Sequence, residues 1–395
     1  MHFTEISTCI VNSVSVLLFL PLWVILIILL NSLCPLINSK RLTFNLSIST
    51  SLINLFFSII CLIFCIKNPS INIENNIIWL NSDVKVFLGT LVDNLSSVFL
   101  ILYSIIFFLI QIFSYFKIKD TKNFHKFFIY LNLANFSIIG LILSTNLIQT
   151  LIFIIFTSVV CYLIMSCFSL EEQSELVVRK IFLLNYFGDI SLLIGISVIV
   201  YFSSLFNVSQ NLILLSYSDF IFHVDNFYSM FSEYTYVVIL LFMLISIFIK
   251  MGQVPFFSSV LKLNEIKNLG AIIVLFCLSL GSIYLLARIY PMIILSVFVK
   301  NILIVVGMLS AFLGVYFSLS QNLLNKFLLS LGVSQFGLIL LTIGLKGYSL
   351  AIYSYWVFLF AYLLLFFISY LLNKDGSINI KTTEKRLCIL IICHI

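Results

Sequence analysis

Charged residues are scarce in this chain. They make up 9% of its 395 residues, whereas an ordinary soluble domain has about 25%. A chain with so few charges cannot cover its surface in water, and 62% of its residues are hydrophobic. These proportions exclude a soluble globular protein and predict an integral membrane protein. The net charge of +6 is modest, and we expect no nucleic-acid partner.

Residues that carry redox or nucleotide chemistry are also lacking. The four histidines lie outside the centres of the apolar runs, so the chain cannot supply the paired mid-span ligands of a di-haem cytochrome. Neither a P-loop nor a G-x-G-x-x-G motif occurs. None of the nine cysteines forms a C-x-x-C pair. We therefore expect no redox site, cofactor or metal in this chain.

Long apolar runs dominate what is present. A helix crosses a bilayer with about 20 apolar residues, and lipid leaves only helices open to such runs. A final apolar stretch, 387–395, is too short to cross. We predict an all-α polytopic membrane protein of about 11–12 transmembrane helices, with spans at 13–32, 43–66, 94–116, 127–144, 147–168, 181–204, 234–261 (interrupted), 269–288, 301–319, 327–345 and 349–372.

Lysine and arginine are distributed unevenly between the two sets of predicted loops. Fifteen fall on the side of the loops that follow odd-numbered spans, five fall on the other side, and Lys250 lies inside a span. Positively charged loops stay on the cytoplasmic or matrix side of a membrane. The bias predicts that side for the richer set, which includes the segments 117–126 and 374–386.

Lys250 ends the apolar run VVILLFMLISIFI and is followed by Gly252 and Pro255. Proline removes a backbone donor and breaks a helix about one turn back, which predicts an interruption between about 250 and 256. A charge at the bilayer centre costs about 3 kcal/mol, so function is the usual reason for keeping it. Broken helices with a titratable group at mid-membrane are typical of transporter ion sites. The alternative is a lysine near the aqueous face that snorkels.

Other polar residues accompany this lysine. Asp189, inside IFLLNYFGDISLLIGISVIVY, is either a counter-charge for a lysine on a neighbouring helix or a polar residue facing a wet crevice. Arg288 lies near the end of its predicted span, where we expect it to reach the headgroups. The polar residues expected to line the helix break are Ser246, Gln253, Ser258 and Ser259.

Six stretches, in order, carry a resemblance to a known family. They are LVDNLSS (91–97), SYFKIKDTKNFHKFFIYLNL (114–133), LLNYFGDISLLIGI (183–196), KMGQVPF (250–256), GSIYLLARIYP (281–291) and SQNLLNKFLLSLGVSQFG (320–337). The chain resembles the antiporter-like membrane subunits of respiratory complex I (NADH:ubiquinone oxidoreductase), most closely subunit 5. The K-x-x-x-x-P-F pattern also occurs in sibling subunits 2 and 4, so these stay as alternatives.

The resemblance implies a site for proton translocation. It places Lys250 on the family's conducting lysine, in a discontinuous seventh helix broken at Gly252 and Pro255. It places Asp189 on the family's aspartate and Lys326 on a basic residue of a later span. Proton movement would be coupled to NADH oxidation and ubiquinone reduction elsewhere in the complex, with FMN, iron–sulfur clusters and ubiquinone held by other subunits.

The resemblance also implies the organisation and the surroundings of the chain. It suggests one transmembrane bundle over 1–395, with N-terminal helices at 1–116, a first antiporter-type repeat at 117–290 and a partial second repeat at 291–395. The expected location is the mitochondrial inner membrane. The expected partners are lipid and the other membrane-arm subunits.

The sequence departs from the family's pattern at several positions. The glutamate of the family's fifth span falls at 154–156, where Ile-Ile-Phe stands, and the histidine or lysine expected near 274 is absent. The H-x-x-x-H-x-x-x-K pattern of the eleventh span falls on Ser354, Phe358 and Tyr362. We expect a divergent, C-terminally truncated member whose incomplete second inverted repeat is completed by a separate chain beside 349–395.

Three functions stay open on these observations. The chain either conducts protons through Lys250 in a modified form, or is a non-conducting structural subunit of the membrane arm, or is a free-standing cation/proton antiporter. Acidic residues from a partner chain near Lys250 would favour the first function, and a dry, apolar interior would favour the second. Purification as a monomer with transport activity would favour the third.

Overall fold

The computed structural model describes residues 18–32, 39–68, 73–81, 85–119, 121, 123–168, 172–205, 217, 228, 231–263, 268–321 and 324–372. Among them, ten helices are long and apolar enough to cross a membrane. The elements are α1 (Leu18–Ser32), α2 (Lys40–Lys67), β1 (Ile73–Asn81), β2 (Lys85–Val92), α3 (Asn94–Ile118), α4 (Phe124–Ile142), α5 (Leu147–Ser166), α6 (Glu172–Leu205), α7 (Glu233–Met251), α8 (Ser258–Lys262), α9 (Asn268–Leu295), α10 (Val297–Ser320), α11 (Leu324–Gly344) and α12 (Tyr348–Leu372).

Ten of the eleven predicted spans fall on these ten helices, so the prediction of a polytopic helical membrane protein is confirmed. The first predicted span, 13–32, falls on the shorter α1 and on residues 13–17, which lie outside the described residues. The helices begin where the sequence supplies caps. The side chains of Ser39, Asp93 and Asn146 each accept a backbone N–H from the first turn of α2, α3 and α5. Such caps satisfy donors that a helix start leaves unpaired. The terminal stretch 387–395 lies outside the described residues.

A β-hairpin joins α2 to α3, and the all-helical prediction did not include it. Its strands pair antiparallel, from Ile73 opposite Val92 to Asn81 opposite Lys85. The stretch is too polar to cross a membrane but is rich in isoleucine, valine and other residues that favour strands. The hydropathy pattern indicates only a loop between α2 and α3, whereas strand pairing gives this segment a regular structure.

Gln149 attaches this hairpin to the start of α5. Its Nε2 donates to the Gly89 carbonyl at 2.8 Å, and its Oε1 accepts from the Gly89 N–H at 3.2 Å. One carboxamide thus pairs both backbone groups of a residue on the open edge of β2, where such groups otherwise lack partners. A backbone bond from Leu91 N to Leu143 O at 2.8 Å adds a second link.

Replacing Gln149 with leucine should loosen the hairpin, and it also removes the acceptor of the Thr145 hydroxyl at 3.1 Å. The substitution keeps the side-chain volume and leaves the Gly89 groups unpaired, which costs about 1–3 kcal/mol. We expect faster amide exchange over 85–92 and unchanged exchange in α3, measured by hydrogen–deuterium exchange in nanodiscs. Gln321→Leu is the control, since among the described residues that side chain bonds the neighbouring Ser320 hydroxyl alone, at 3.4 Å. Equal exchange in the two variants would contradict the assignment.

The chain divides into two compact units. The first comprises residues 1–167 and 200–223, and the second comprises 168–199 and 224–395. In the first unit, α1 packs on α4 through Val24, Ile25, Ile28 and Ile129. The predicted division into repeats at 117 and 291 concerns an internal symmetry, and it stays a prediction.

The two ends of the first unit agree with the predicted loop sides. Lys40 Nζ donates to the Lys119 carbonyl at 2.6 Å, so the start of α2 and the end of α3 meet. The Gly89–Gln149 contact joins the other two connections at the opposite ends of these helices. The segment 374–386, predicted to share the side of 117–126, lies outside the described residues.

In the second unit, α9 is the most enclosed helix, with residues 269–289 all buried. The Tyr236 hydroxyl on α7 donates to the Met292 carbonyl at 2.7 Å, and the Ser279 and Tyr355 hydroxyls lie 3.3 Å apart. These contacts tie α9 to α7 and to α12. The helix break described below is therefore held against a well-packed central element.

Helices α10 and α11 approach closely because glycines lie at their interface. A Cβ added at Gly337 would lie 2.6 Å from the Ala311 nitrogen, and one added at Gly314 would lie 2.5 Å from the Ser334 nitrogen. Small residues let membrane helices come into backbone contact in this way.

This packing bears on the expectation of a separate chain. That expectation rested in part on small and polar residues, which prefer helix–helix contacts over lipid, namely Ser330, Gly332, Ser334, Gln335, Gly337 and Ser354. Ser330 and Ser334 are buried within this chain, and Gly337 contacts α10. Sequence alone does not show which neighbour a small-residue face meets, and here the neighbour belongs to the same chain. These residues therefore give no reason to expect a separate chain.

Candidate functional site: a buried ion pair at a helix break

The seventh span is interrupted where the sequence predicts it. Helix α7 ends at Met251 and α8 begins at Ser258. Gly252 has φ 63° and ψ 42°, a left-handed conformation that favours glycine. The Gly252 and Gln253 N–H groups donate to carbonyls of the last turn, at 3.2 and 2.8 Å, which is a Schellman ending. A side chain at Gly252 would also collide with Val260.

Gln253 connects the break to a distant helix. Its Nε2 donates to the Met251 carbonyl at 3.1 Å and to the Val333 carbonyl of α11 at 3.3 Å. The side chain is fully buried. Sequence reasoning placed Gln253 at the break but missed the contact with α11, for which the pattern holds no signal.

Lys250 and Asp189 form an ion pair at this break. Lys250 Nζ lies 2.7 Å from Asp189 Oδ1, and both side chains are 3% exposed. Of the two interpretations of Asp189, the counter-charge is therefore the one that the structure shows. Because Asp189 lies at the middle of α6, the pair sits at mid-helix depth. This position argues against a lysine that snorkels to an aqueous face.

Small residues on α6 bring the pair together. Gly188 lies against Ser246 and Ile249 of α7, and the Ser191 hydroxyl donates to the Phe242 carbonyl at 2.6 Å. One turn further along, Gly195 packs on α7 as well. A large residue at these positions would hold the two helices apart, since backbone approach sets the reach of a short aspartate.

The electrostatic balance of the pair follows from its burial. Desolvating two charges is expensive, and their attraction offsets that expense only at short range. The Lys250 ammonium is stabilised further by its place in the last turn of α7, where the helix dipole presents partial negative charge. Either charge left without the other would be strongly unfavourable, so the two residues depend on each other for their ionised forms.

Three buried polar atoms on α6, α7 and the helix break have no hydrogen-bond partner in the described part of the chain. They are Asp189 Oδ2, Ser246 Oγ and Gln253 Oε1. Ser246 precedes Lys250 by one turn and shares its face. Buried polar atoms of this kind are normally satisfied by internal water. The surroundings thus differ from the dry apolar interior expected of a purely structural subunit.

The remaining predicted residues occupy different settings. Lys326 is exposed in the first turn of α11, and the structure does not bring it to the ion pair. Ser259 donates to the Phe256 carbonyl at 2.8 Å, so its hydroxyl is satisfied locally. Ser258 is half-buried. Ser246 and Gln253 are therefore the predicted lining residues with polar atoms available to the site.

Arg288 was expected to reach the headgroups, and this expectation is wrong. The residue is 5% exposed, and its Nε and Nη2 donate to the Tyr284 hydroxyl at 2.9 and 2.6 Å. The predicted span ended at 288, whereas α9 continues to Leu295 and keeps Arg288 inside. The tyrosine four residues earlier is a signal in the sequence that could have indicated this pairing.

Broken helices and ionisable residues buried at membrane depth are features common in ion-translocating membrane proteins, and this helical bundle has both. Comparison with known families agrees. The chain belongs to the NADH:quinone oxidoreductase/Mrp antiporter transmembrane family, whose model matches residues 144–387.

Relatives of known name point to one branch of this family. The chain is 26% identical over 281 residues to NAD(P)H-quinone oxidoreductase subunit 5, chloroplastic, of Manihot esculenta, covering 69% of this chain and 36% of that protein. The protein of the same name from Illicium oligandrum is 28% identical over 279 residues, with the same coverage. The resemblance to subunit 5 is confirmed, and the chain spans about a third of the length of these relatives.

Two solved structures share the fold. The Mrp complex from Dietzia sp. DQ12-45-1b superposes with a TM-score of 0.74 at 17% identity, covering 89% of this chain and 36% of that one. An archaeal respiratory membrane complex, the membrane-bound sulfane sulfur reductase, superposes with a TM-score of 0.77 at 13% identity. The match covers 94% of this chain and 73% of that one. The predicted antiporter-like fold is confirmed.

Proposed function

We propose that this chain is a membrane-arm subunit of an NADH:quinone oxidoreductase and takes part in proton translocation at the Lys250–Asp189 pair. The observation that carries the proposal is the 2.7 Å ion pair beside the helix break. Electron transfer from NADH to quinone would occur in other subunits, which would hold FMN, iron–sulfur clusters and the quinone site. The names of the relatives support the assignment to such a complex.

The pair suits a proton relay because its two charges can disappear together. A proton that passes from the Lys250 ammonium to the Asp189 carboxylate leaves both groups neutral and ends their attraction. Water near Ser246 and Gln253 then provides a donor or an acceptor for the next proton. Asp189 thereby supplies the acid that is missing at 154–156, where the family has its glutamate. In this proposal Lys326 serves a separate, later step of the relay.

The proposed location is the mitochondrial inner membrane. The abundance of phenylalanine, with 41 residues against 14 glycines, and the high mean hydropathy of +1.21 support an organellar gene product. The names of the matched relatives favour a plastid membrane as the alternative. Lipid, other membrane-arm subunits and a separate chain completing the second repeat are the proposed partners.

The fold likeness to the Mrp complex favours a second candidate function, cation/proton exchange that needs no electron donor. The two functions differ in their energy source. Proton movement in the first depends on NADH oxidation, whereas exchange in the second responds to an imposed sodium gradient. Transport by the isolated chain under a sodium gradient would favour the second.

Neutralising the whole pair should lower the number of protons moved per NADH oxidised. The variant is Lys250→Met with Asp189→Leu, which removes both charges and keeps the volume. The complex is reconstituted in vesicles, and acidification is measured against the rate of NADH oxidation. Substitution of the exposed Arg179–Glu175 pair, 2.7 Å apart on α6, is the control. An unchanged ratio in an assembled complex would favour the structural role over conduction.

A further inference from the structure

The first unit has a polar interior that the proposed function does not use. The buried face of α2 consists of Thr43, Ser47, Thr50, Ser51, Asn54, Ser58, Cys61, Phe64 and Cys65. All but Phe64 are polar or small. Its outward residues are apolar and include Leu52, Phe56, Ile63 and Ile66. The helix is thus polar inward and apolar outward, the reverse of a helix in a soluble protein.

Most of these polar groups are satisfied within the protein. The Thr43, Ser51 and Ser58 hydroxyls donate to carbonyls one turn earlier in α2. Asn132 of α4 is also satisfied. Its Nδ2 donates to the Ser47 hydroxyl and to its own helix at 2.8 Å each, and its Oδ1 accepts from Thr50 at 3.3 Å. These groups need no further ligand.

Two carboxamides at the same interface are different. Asn54 of α2 is 4% exposed, Gln111 of α3 is 0% exposed, and neither the nitrogen nor the oxygen of either has a partner in the part of the chain that the structure describes. Asn135 of α4 accepts from the Tyr103 hydroxyl at 3.0 Å, while its Nδ2 has no described partner. An unsatisfied buried amide costs about 1–3 kcal/mol, so three together call for a ligand.

The three amides lie along one seam between α2, α3 and α4. Helices α2 and α3 run antiparallel, since Phe44 stacks on Tyr115 at 4.1 Å at one end and Cys65 lies beside Ser97 at the other. Asn54 and Gln111 both fall between these two contacts. Asn135 reaches the same seam from α4 through Tyr103 on α3.

The mixture of donors and acceptors selects the ligand. Asn54 and Gln111 each present an NH₂ group and a carbonyl oxygen, and Asn135 adds another NH₂. A cation would be bound by the oxygens but would face the amide hydrogens, and an anion would meet the reverse mismatch. Water donates and accepts at once. We propose that this α2–α3–α4 seam is a binding site for internal water, centred on Asn54 and Gln111.

The seam is separate from the ion pair in its chemistry. Its unsatisfied groups are amides, which neither take up nor release a proton near neutral pH. Water held there hydrates the first unit at membrane depth and brings no titratable side chain with it.

Radiolytic hydroxyl-radical labelling of the intact, purified complex tests this proposal, because X-rays generate radicals from bound water beside buried side chains. Phe107 of α3 is 2% exposed and lies one helical turn from Gln111, whereas Phe128 of α4 is 0% exposed within an aromatic cluster. We expect Phe107 to be modified several-fold faster than Phe128. Equal rates for the two residues in the unaltered protein would overturn the proposal.

A variant pair locates the water. Asn54→Leu with Gln111→Leu should bring Phe107 labelling down to the Phe128 rate, because the seam then offers water no polar partner. Asn132→Leu is the matched control, since that amide is already satisfied by protein groups, and it should leave Phe107 labelling unchanged. Undiminished labelling in the double leucine variant would show that the water does not depend on these amides and would overturn the site.

Discussion

Removing one partner of the Lys250–Asp189 pair is expected to destabilise the protein far more than removing both. Lys250→Met leaves a carboxylate that is 3% exposed without its counter-charge, and breaking a buried pair in this way costs about 3–5 kcal/mol. Asp189→Leu strands the ammonium in the same manner. The double variant leaves neither charge of the pair buried. Its loss in free energy of unfolding should therefore be much smaller than the sum of the losses in the two single variants.

Unfolding in detergent can be monitored by the loss of near-ultraviolet circular dichroism. It gives the changes in unfolding free energy of the two single variants and the double variant, which together form a double-mutant cycle. The exposed Arg179–Glu175 pair is the reference, since its side chains are 61% and 52% exposed and such pairs contribute under about 1 kcal/mol. If the losses in unfolding free energy at Lys250 and Asp189 were additive, the two side chains would not stabilise each other.

Gly337→Ala is the second substitution with a large expected effect. The added methyl group would lie 2.6 Å from the Ala311 nitrogen and 2.8 Å from the Gly307 carbonyl oxygen, both backbone atoms that cannot rotate away. Helices α10 and α11 must then separate along their length, which costs several times the 1 kcal/mol or so that alanine gains over glycine in a helix. We expect a marked fall in the amount of assembled protein and in its thermal midpoint.

Gly332→Ala on the same helix is the matched control. Among the described residues, the nearest atom to a methyl group there is the Leu275 Cδ1 at 3.7 Å, an ordinary contact. This variant should accumulate like the unaltered chain and unfold at the same temperature or slightly above it. The amount of each variant in membrane fractions, measured with an antibody, and its thermal midpoint are compared between the two substitutions. Similar losses at both positions would show that helix flexibility, rather than close approach, is what the glycines provide.

The membrane spans and the helix break could be predicted from the sequence because each depends on a local property. Lipid forces every long apolar run to satisfy its own backbone, so hydropathy is enough to find the helices. Gly252 and Pro255 interrupt a helix through their own backbone chemistry, whatever surrounds them. These features needed no knowledge of neighbours.

Contacts between distant helices could not be predicted in the same way. Asp189 and Lys250 were both indicated by their charge, but their pairing depends on how α6 and α7 rotate against each other, and Gly188 and Ser191 set that rotation. The hairpin depends on strand pairing that hydropathy does not detect. The bond from Gln253 to α11 links residues eighty positions apart.

That bond makes the break responsive to the position of α11. One carboxamide nitrogen holds two carbonyls, and the longer of its two bonds, 3.3 Å to Val333, is near the limit of a hydrogen bond. An outward shift of α11 by about half an ångström would lengthen the Gln253–Val333 bond beyond hydrogen-bonding distance and would leave the bond to Met251 in place. Because α10 and α11 contact each other backbone to backbone, the packing of α10 also holds α11 in position. The geometry of the break beside Lys250 therefore depends on the packing of two helices that lie far from it in the sequence.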